Sequence, residues 1–244
     1  MSKAKITAVG ISSPEVKLAR DLVSGKKKSS GKEYTLDDSL FICEGLWPAR
    51  KLIERKIPVK YFYYCEEMIH TEEEHADVDL LCTYASEVYC ISRKSCEKIS
   101  DRDGADGFFI VAEMPRYRLE DMEGLIGKDC VIMVLDGQEQ PGNIGAILRS
   151  LDCAGGAFAV MTNTRVRLTH PRLIRSSLGA AFMLPVASAP FDEVLRWLEF
   201  NNFKIMVTDL TAVKSYRDVD YSGRVAIVAG NEFNGIDKIL NGSI

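Results

Sequence analysis

Long apolar runs are missing from this chain of 244 residues. None approaches the roughly 18–20 residues needed to span a bilayer, and the opening MSKAKITAVG has no apolar signal core. The expectation is a cytoplasmic protein. Histidine is scarce, with three residues at 70, 75 and 170 that show no metal-ligand spacing. Cysteine is present but unpatterned: seven residues, at 43, 65, 82, 90, 96, 130 and 153, make an odd number without a CxxC pair. Several sit in apolar stretches such as FICEG and LLCTY, which reads as reduced, mostly buried small hydrophobes and excludes a metal or disulfide framework. No metal is expected. A basic excess is missing too: Lys+Arg total 31 against 35 Asp+Glu, a formal net charge of −4. That balance excludes a broad, non-specific coat for nucleic-acid phosphates. It still allows a local basic patch, because fields act over a Debye length of roughly 8–10 Å. The chain has no internal repeat and no low-complexity tract.

What is present is an ordinary globular composition, 46% hydrophobic and 27% charged, long enough for one large or two ordinary domains. Residues 3–112 alternate strand and helix patterns. Helices are expected at Val16–Val23, Trp47–Arg55 and Lys94–Ile99, and strands at Leu40–Glu44, Val59–Tyr64, Glu87–Ile91 and Gly107–Ala112. Between the first helix and the first strand, Ser24 to Ser30 is a polar loop carrying Lys26, Lys27 and Lys28. Composition then shifts. Glu113 to Lys128 contains Pro115, four acidic residues and little apolar content before Leu125, and reads as a linker. From residue 129 the alternation resumes, with strands expected at 131–135, 157–161, 204–208 and 225–229 and helices at 143–153, 171–181 and 191–201. This spacing fits a mainly parallel sheet with helices on both faces.

The chemistry concentrates in Val131 to Gly156, VIMVLDGQEQPGNIGAILRSLDCAGG. A branched apolar strand ends in Asp136-Gly137, a Pro-Gly-Asn turn follows at 141–143, and a helix pattern then carries Arg149. A strand, a glycine turn and a helix N-terminus make a pocket whose backbone amides point at a ligand. A dinucleotide oxidoreductase is the first rival. Its fingerprint needs G-x-G-x-x-G directly after the strand and an acid about 20 residues on. Here Gly142 and Gly145 are out of register, and the next strand ends in Thr162-Asn163-Thr164 without a carboxylate. The dinucleotide reading is set aside.

The same stretch closely resembles the first motif of the TrmH/SpoU branch of the SPOUT RNA methyltransferases: a strand, an Asp, a PGN turn, then a helix with an Arg six residues after the Asn, here Asn143 and Arg149. Two further blocks follow in family order. Arg165-Val-Arg-Leu-Thr-His-Pro-Arg-Leu-Ile-Arg-Ser-Ser-Leu-Gly-Ala-Ala-Phe182 resembles the segment with an R-x-S-x-G core, here Arg175, Ser177 and Gly179. Its arginines make a basic edge suited to phosphates, or else a solvated charged face. The run Val225 to Ile236, after a strand Lys204–Thr208, resembles the second SPOUT motif, a strand ending in G-x-E-x-x-G. Upstream, Phe41-Ile42-Cys43-Glu44-Gly45 and Asp106-Gly107-Phe108 resemble pieces of the substrate-binding domain that precedes the catalytic domain in many TrmH-type enzymes. The plainer alternative is that Glu44 caps a helix and Gly45 makes a turn.

The resemblance implies an α/β protein in three parts: 1–112, a small RNA-binding domain of ribosomal-protein-like fold; 113–128, a linker; and 129–244, a Rossmann-like SPOUT domain, knotted in the family, with a mainly parallel sheet. It implies S-adenosylmethionine (SAM) as methyl donor and a ribose 2′-hydroxyl of structured RNA as acceptor, ribosomal RNA in preference to tRNA. The family is homodimeric. Asn143, Arg149 and Glu232 are the implied catalytic residues, with Glu232 orienting the Arg149 guanidinium. Thr208, Gly230, Asn231, Gly235 and Ile236 are the cofactor candidates, with the amides of Asn231 and its neighbours expected to hold adenosine's polar edges. Lys26, Lys27, Lys28, Arg165, Arg172 and Arg175 are the RNA candidates. The family's third motif, a Ser-Leu-Asn core near the C-terminus, does not occur before Ile244. The expectation is therefore a truncated form of a longer enzyme that binds SAM poorly. A non-catalytic RNA-binding relative, and a methyltransferase conferring antibiotic resistance, are the alternatives.

Overall fold

The computed structural model describes residues 4–25, 38–208, 212, 214–231, 235 and 236. The chain divides into two compact units: Met1–Met114 with Arg167–Arg175, and Pro115–Val166 with Ser176–Ile244. Among the described residues no helix is long and apolar enough to cross a membrane.

The first unit contains β1 (Ile6–Ala8), α1 (Pro14–Ser24), β2 (Leu40–Glu44), α2 (Leu46–Glu54), β3 (Val59–Tyr64), α3 (Glu72–Tyr84), β4 (Glu87–Cys90), α4 (Arg93–Ile99) and β5 (Phe108–Glu113). Its five strands lie in the order β1-β4-β3-β5-β2. The sheet is mixed: β1, β4 and β3 run parallel, while β5 runs antiparallel to both β3 and β2. Local signals set the helix ends. Ser13 caps α1 by accepting from the Val16 amide, and Gly25 closes that helix at φ 69°. Thr71 and Glu74 form a capping box at the start of α3. Two elements, β1 and α3, lie where the sequence carries no clear pattern. The three residues of β1 are all exposed, and α3 buries only Val78, Leu81 and Cys82 on an otherwise acidic and polar helix. Neither offers the sustained periodicity that marks an element.

The second unit contains α5 (Leu119–Met122), β6 (Cys130–Asp136), α6 (Pro141–Cys153), β7 (Phe158–Thr162), α7 (Pro171–Ser177), α8 (Ala180–Met183), β8 (Val186–Ser188), α9 (Phe191–Phe200), β9 (Lys204–Val207) and β10 (Arg224–Ala229), with most of α7 grouped in the first unit. The sheet order is β8-β7-β6-β10-β9, and every pairing is parallel. All five residues of β7 are buried, as a sheet covered on both faces requires. The core includes Ile132, Val134, Phe158, Val160, Val194, Leu198, Ala226 and Val228.

The stretch 113–128 is structured: Glu113 closes β5, and Leu119 and Met122 of α5 are buried in the second core. The single helix expected over 171–181 is interrupted. Leu178 and Gly179 take positive φ values of 46° and 95°, ending α7 and starting α8. Glycine enters that region freely and leucine does not, so the break is a tertiary feature. Ala180 and Ala181 of α8 are buried.

Candidate active site

The chain winds β6, β7, β8 outwards on one side of the second sheet, then returns from the far edge through β9 and β10. The order therefore reverses between β6 and β10. In open parallel sheets ligands bind at the carboxyl ends of the strands beside such a reversal. The residues at that edge are polar, buried and strained.

β6 ends in Asp136, which is 3% exposed. Its carboxylate accepts from Asn163 Nδ2 at 2.7 Å. Asn163 follows β7 at φ 52°, a left-handed conformation that asparagine tolerates better than most residues. Gly137 turns the chain away from the sheet at φ 64°, and its N–H donates to the Thr162 carbonyl at 2.9 Å. The Thr162 hydroxyl, also at this edge, is buried without a hydrogen-bond partner.

Two side-chain bonds then tie the loop after β6 to the loop after β10. Gln138 Nε2 donates to the Gly230 carbonyl, and Asn231 Nδ2 donates to the Gly137 carbonyl at 2.7 Å. Thr164 Oγ1 adds a bond to the Gln138 carbonyl at 2.6 Å. Gly230 must be glycine, because a Cβ there would lie 2.5 Å from both the Gly235 carbonyl carbon and Ile236 Cγ1. Beyond it, Asn231 and Gly235 bond reciprocally through their backbones, at 2.8 and 3.0 Å. Gly235 itself turns at φ 69°, with nothing among the described residues within 4 Å of the position a Cβ would take.

The cofactor candidates Thr208, Gly230, Asn231, Gly235 and Ile236 thus gather at the ends of β9 and β10. Their expected donors need correcting. The Asn231 backbone N–H donates to Gly235, and one N–H of its side chain donates to Gly137. Thr208 is also engaged: its N–H and its hydroxyl both donate to the Val228 carbonyl, at 3.0 and 3.2 Å. Ile236 packs partly buried against the core.

Asn143 and Arg149 both lie on α6 and are exposed, while Ile144, Gly145, Leu148 and Leu151 form its buried stripe. Pro141 starts the helix, where its missing N–H costs nothing. Six residues of α-helix separate the pair by about 9 Å along the axis and about 120° around it. They therefore sit on different faces, and Arg149 falls in the third turn. Among the described residues the Arg149 side chain has no hydrogen-bond or ion-pair partner. Glu232 lies outside the described residues, as do Lys26, Lys27 and Lys28.

The arginine block divides. Arg165 and Arg172 are exposed without an ion pair among the described residues. Arg175 pairs with Asp101 and Arg167 with Asp38, each within the first unit. Arg175 is therefore a neutralised cation rather than the free one expected. Between these pairs, His170 Nδ1 accepts from the Arg172 amide at 3.2 Å. Burial first, then the Arg167 and Arg172 charges, hold its pKa below the usual 6.5. Gln138, Asn163 and Thr164 join the site without having been expected there. A signal for them exists in the polar Thr162-Asn163-Thr164 that closes an apolar strand.

Residues 130–242 match the model of the SpoU rRNA Methylase family. The second half of the chain belongs to that family. The SpoU segment begins at β6 and takes in Asn143, Arg149 and every cofactor candidate, and it leaves out Glu44 and Lys26–Lys28. One relative is the 23S rRNA (guanosine(2553)-2′-O)-methyltransferase RlmP of Bacillus subtilis, 23% identical over 215 residues, which cover 88% of this chain and 80% of that protein. The crystal structure of an RNA 2′-O ribose methyltransferase superposes with a TM-score of 0.75 at 28% identity, over 94% of this chain and 84% of the other. An AdoMet-bound rRNA methyltransferase from Sinorhizobium meliloti shares the fold, with a TM-score of 0.79 at 23% identity over 97% of this chain and 85% of that one.

Proposed function

We propose that this protein transfers the methyl group of SAM to a ribose 2′-hydroxyl of ribosomal RNA, acting in the cytoplasm as a homodimer. The observation that carries the reading is the tie between the loops after β6 and β10, at the reversal point of a parallel sheet that lies within the SpoU segment. Residues 129–244 perform the chemistry and residues 1–112 bind the RNA.

The residues at the strand ends suit a nucleoside cofactor. Gly235 presents bare backbone, with no atom of the described residues within 4 Å of where a Cβ would lie, so a flat adenosine can approach closely. SAM supplies the electrophilic methyl group. Thr208, Asn231 and Ile236 hold the loop in shape around it. Asn143 lies in the first turn of α6, where it orients the acceptor ribose, and Arg149 acts further along the helix. A guanidinium is a permanent cation, so Arg149 serves as a fixed charge. It binds the acceptor phosphate or hydroxyl and lowers the cost of the negative charge that develops on O2′. Glu232 orients that guanidinium. Arg165 and Arg172, with Lys26, Lys27 and Lys28, grip the RNA backbone; Arg175 contributes after exchanging Asp101 for a phosphate.

The test is methyl transfer from tritiated SAM to purified ribosomal RNA, with tRNA alongside, followed by digestion to nucleosides. Label in a single 2′-O-methylnucleoside of ribosomal RNA is expected, and a substrate with 2′-deoxyribose at that position stays unlabelled. Binding of SAM and RNA without label in either RNA would replace this reading with a non-catalytic RNA-binding role.

A further inference from the structure

The first unit holds a cationic cavity that lies apart from every residue assigned a role so far. It sits between α1 and α4, has a volume of about 240 Å³, and is lined by Ile11, Ser12, Val16, Lys17, Arg20 and Lys98. Among the described residues that line it, none is acidic. Lys17 and Arg20 are three apart on α1 and so share a face. Neither side chain has a hydrogen-bond or ion-pair partner among the described residues. Lys98 reaches over from α4 and donates to the Ile11 carbonyl at 3.2 Å, which pins the turn before α1 to the far wall. That turn is closed by the Ser13 amide on the Gly10 carbonyl at 2.9 Å, and it leads into the N-terminus of α1. Three positive side chains therefore line one cavity beside the first two turns of an eleven-residue helix. Three like charges repel each other unless an anion sits among them. In a chain of net charge −4, such a cluster stands out from the average surface.

Size and lining narrow the ligand. Sites for whole cofactors run from about 300 to 1,000 Å³, so this cavity is smaller than a nucleotide site. Ile11 and Val16 give it an apolar floor, and the cations hold the rim. A phosphate attached to a sugar matches that division, with charge at the rim and the sugar's C–H face on the floor.

We infer that Lys17, Arg20 and Lys98 form a phosphodiester subsite that seats one backbone phosphate of the RNA substrate. It acts away from the SpoU segment, on the unit whose task is to hold the RNA. This rests on the proposed RNA-modifying function and adds a contact that fixes the position of the RNA.

The test compares three proteins by fluorescence anisotropy with a labelled ribosomal RNA fragment over a salt series. They are the wild type, the cavity variant Lys17→Gln/Arg20→Gln/Lys98→Gln, and a control, Lys5→Gln/Arg55→Gln/Lys94→Gln. The control removes three exposed cations of the same unit that do not line the cavity. The cavity variant should bind about tenfold or more weakly at low salt. Its log K against log salt slope should be shallower by about 0.7–0.9, the amount expected for one phosphate contact. The control should stay close to wild type, and both variants should retain wild-type SAM affinity and melting temperature. Equal losses in the two variants would mean that only diffuse charge matters, and no loss in the cavity variant would mean an empty pocket; either overturns the inference. If Gln at position 98 loosens the Ile11 turn and lowers the melting temperature, Lys17→Gln/Arg20→Gln alone decides by the same slope. A wild type that binds SAM but no RNA would overturn the RNA-modifying reading and this subsite together.

Discussion

The two sheets each have five strands, yet they treat their ends differently. In the first, β5 alone runs against its neighbours, so the start of β5 lies among the carboxyl ends of the other four strands. The polar cluster found there is a latch. The Glu44 carboxylate, with its side chain only 9% exposed, accepts from the Ser100 hydroxyl and the Asp106 amide, all at 3.0 Å. That is two donors from one loop held by one side chain. In the second sheet every strand is parallel, so all five carboxyl ends fall on one edge. There the polar residues are shared between loops from distant strands, as Gln138 and Asn231 show. Parallel topology gathers backbone turns from far apart in sequence into one place, and chemistry that needs several loops is built there. In the mixed sheet the reversed β5 begins on the edge where the other strands end, and the Glu44 cluster there fixes the loop that leads into β5.

Four changes sharpen or break this contrast. The largest effect belongs to Arg149→Ala, which should lower the rate of RNA methylation by about 10²-fold or more, as loss of a fixed charge-stabilising donor does elsewhere. Because Arg149 is exposed and has no partner among the described residues, thermal melts should coincide with wild type. A variant that keeps most of its activity would remove Arg149 from the mechanism. Next is Gly230→Ala. Its Cβ would meet backbone at 2.5 Å, so the loop must shift at a cost of about 1–3 kcal/mol. Calorimetric titration should show SAM binding lost or strongly weakened, and unchanged affinity would mean that the crossing of the two loops is not part of the pocket.

Glu44→Ala separates latch from site. It leaves the half-buried Ser100 hydroxyl and the exposed Asp106 amide without their acceptor and should destabilise the first unit by about 0.5–1.5 kcal/mol in urea unfolding. Glu44→Gln keeps one acceptor and should cost less, and SAM affinity should not move in either variant. A change in SAM affinity without a change in stability would reverse this assignment. The smallest effect concerns His170. Its folded pKa is depressed below 6.5 by burial and by two arginines, so the unfolded chain binds the proton more readily. Stability is then complete above about pH 6.5 and falls as the pH drops toward the folded value. Unfolding midpoints measured between pH 7.5 and 5 should decline more for wild type than for His170→Asn. Parallel curves would show that the Arg172 amide does not need a neutral imidazole.

Much of the second unit is legible from local pattern. β6, β7, β9 and β10 are apolar runs bounded by glycine or polar residues, and α6 begins at a proline and carries a regular buried stripe, so local pattern and tertiary role agree. The first unit is less legible at its margins, because β1 is wholly exposed and α3 buries three residues out of thirteen. A linker reading of 113–128 misses that Leu119 and Met122 suffice to anchor a short helix in a core. The break at Leu178-Gly179 leaves no local trace, because a leucine at positive φ is held there by its surroundings rather than by its own preference.

By itself, then, the sequence determined the alternation of strands and helices, the two-part organisation, the family motifs and the positions of Asn143 and Arg149, because each depends on spacing within a short window. Only the tertiary structure decided which donors are free. It showed Asn231 and Thr208 engaged inside the chain, Arg175 and Arg167 paired with Asp101 and Asp38, and Lys17, Arg20 and Lys98 brought around one cavity from helices some eighty residues apart. The reason is physical. A hydrogen bond or ion pair needs its two groups within about 3–4 Å, and no local pattern encodes a distance between residues that only folding brings together.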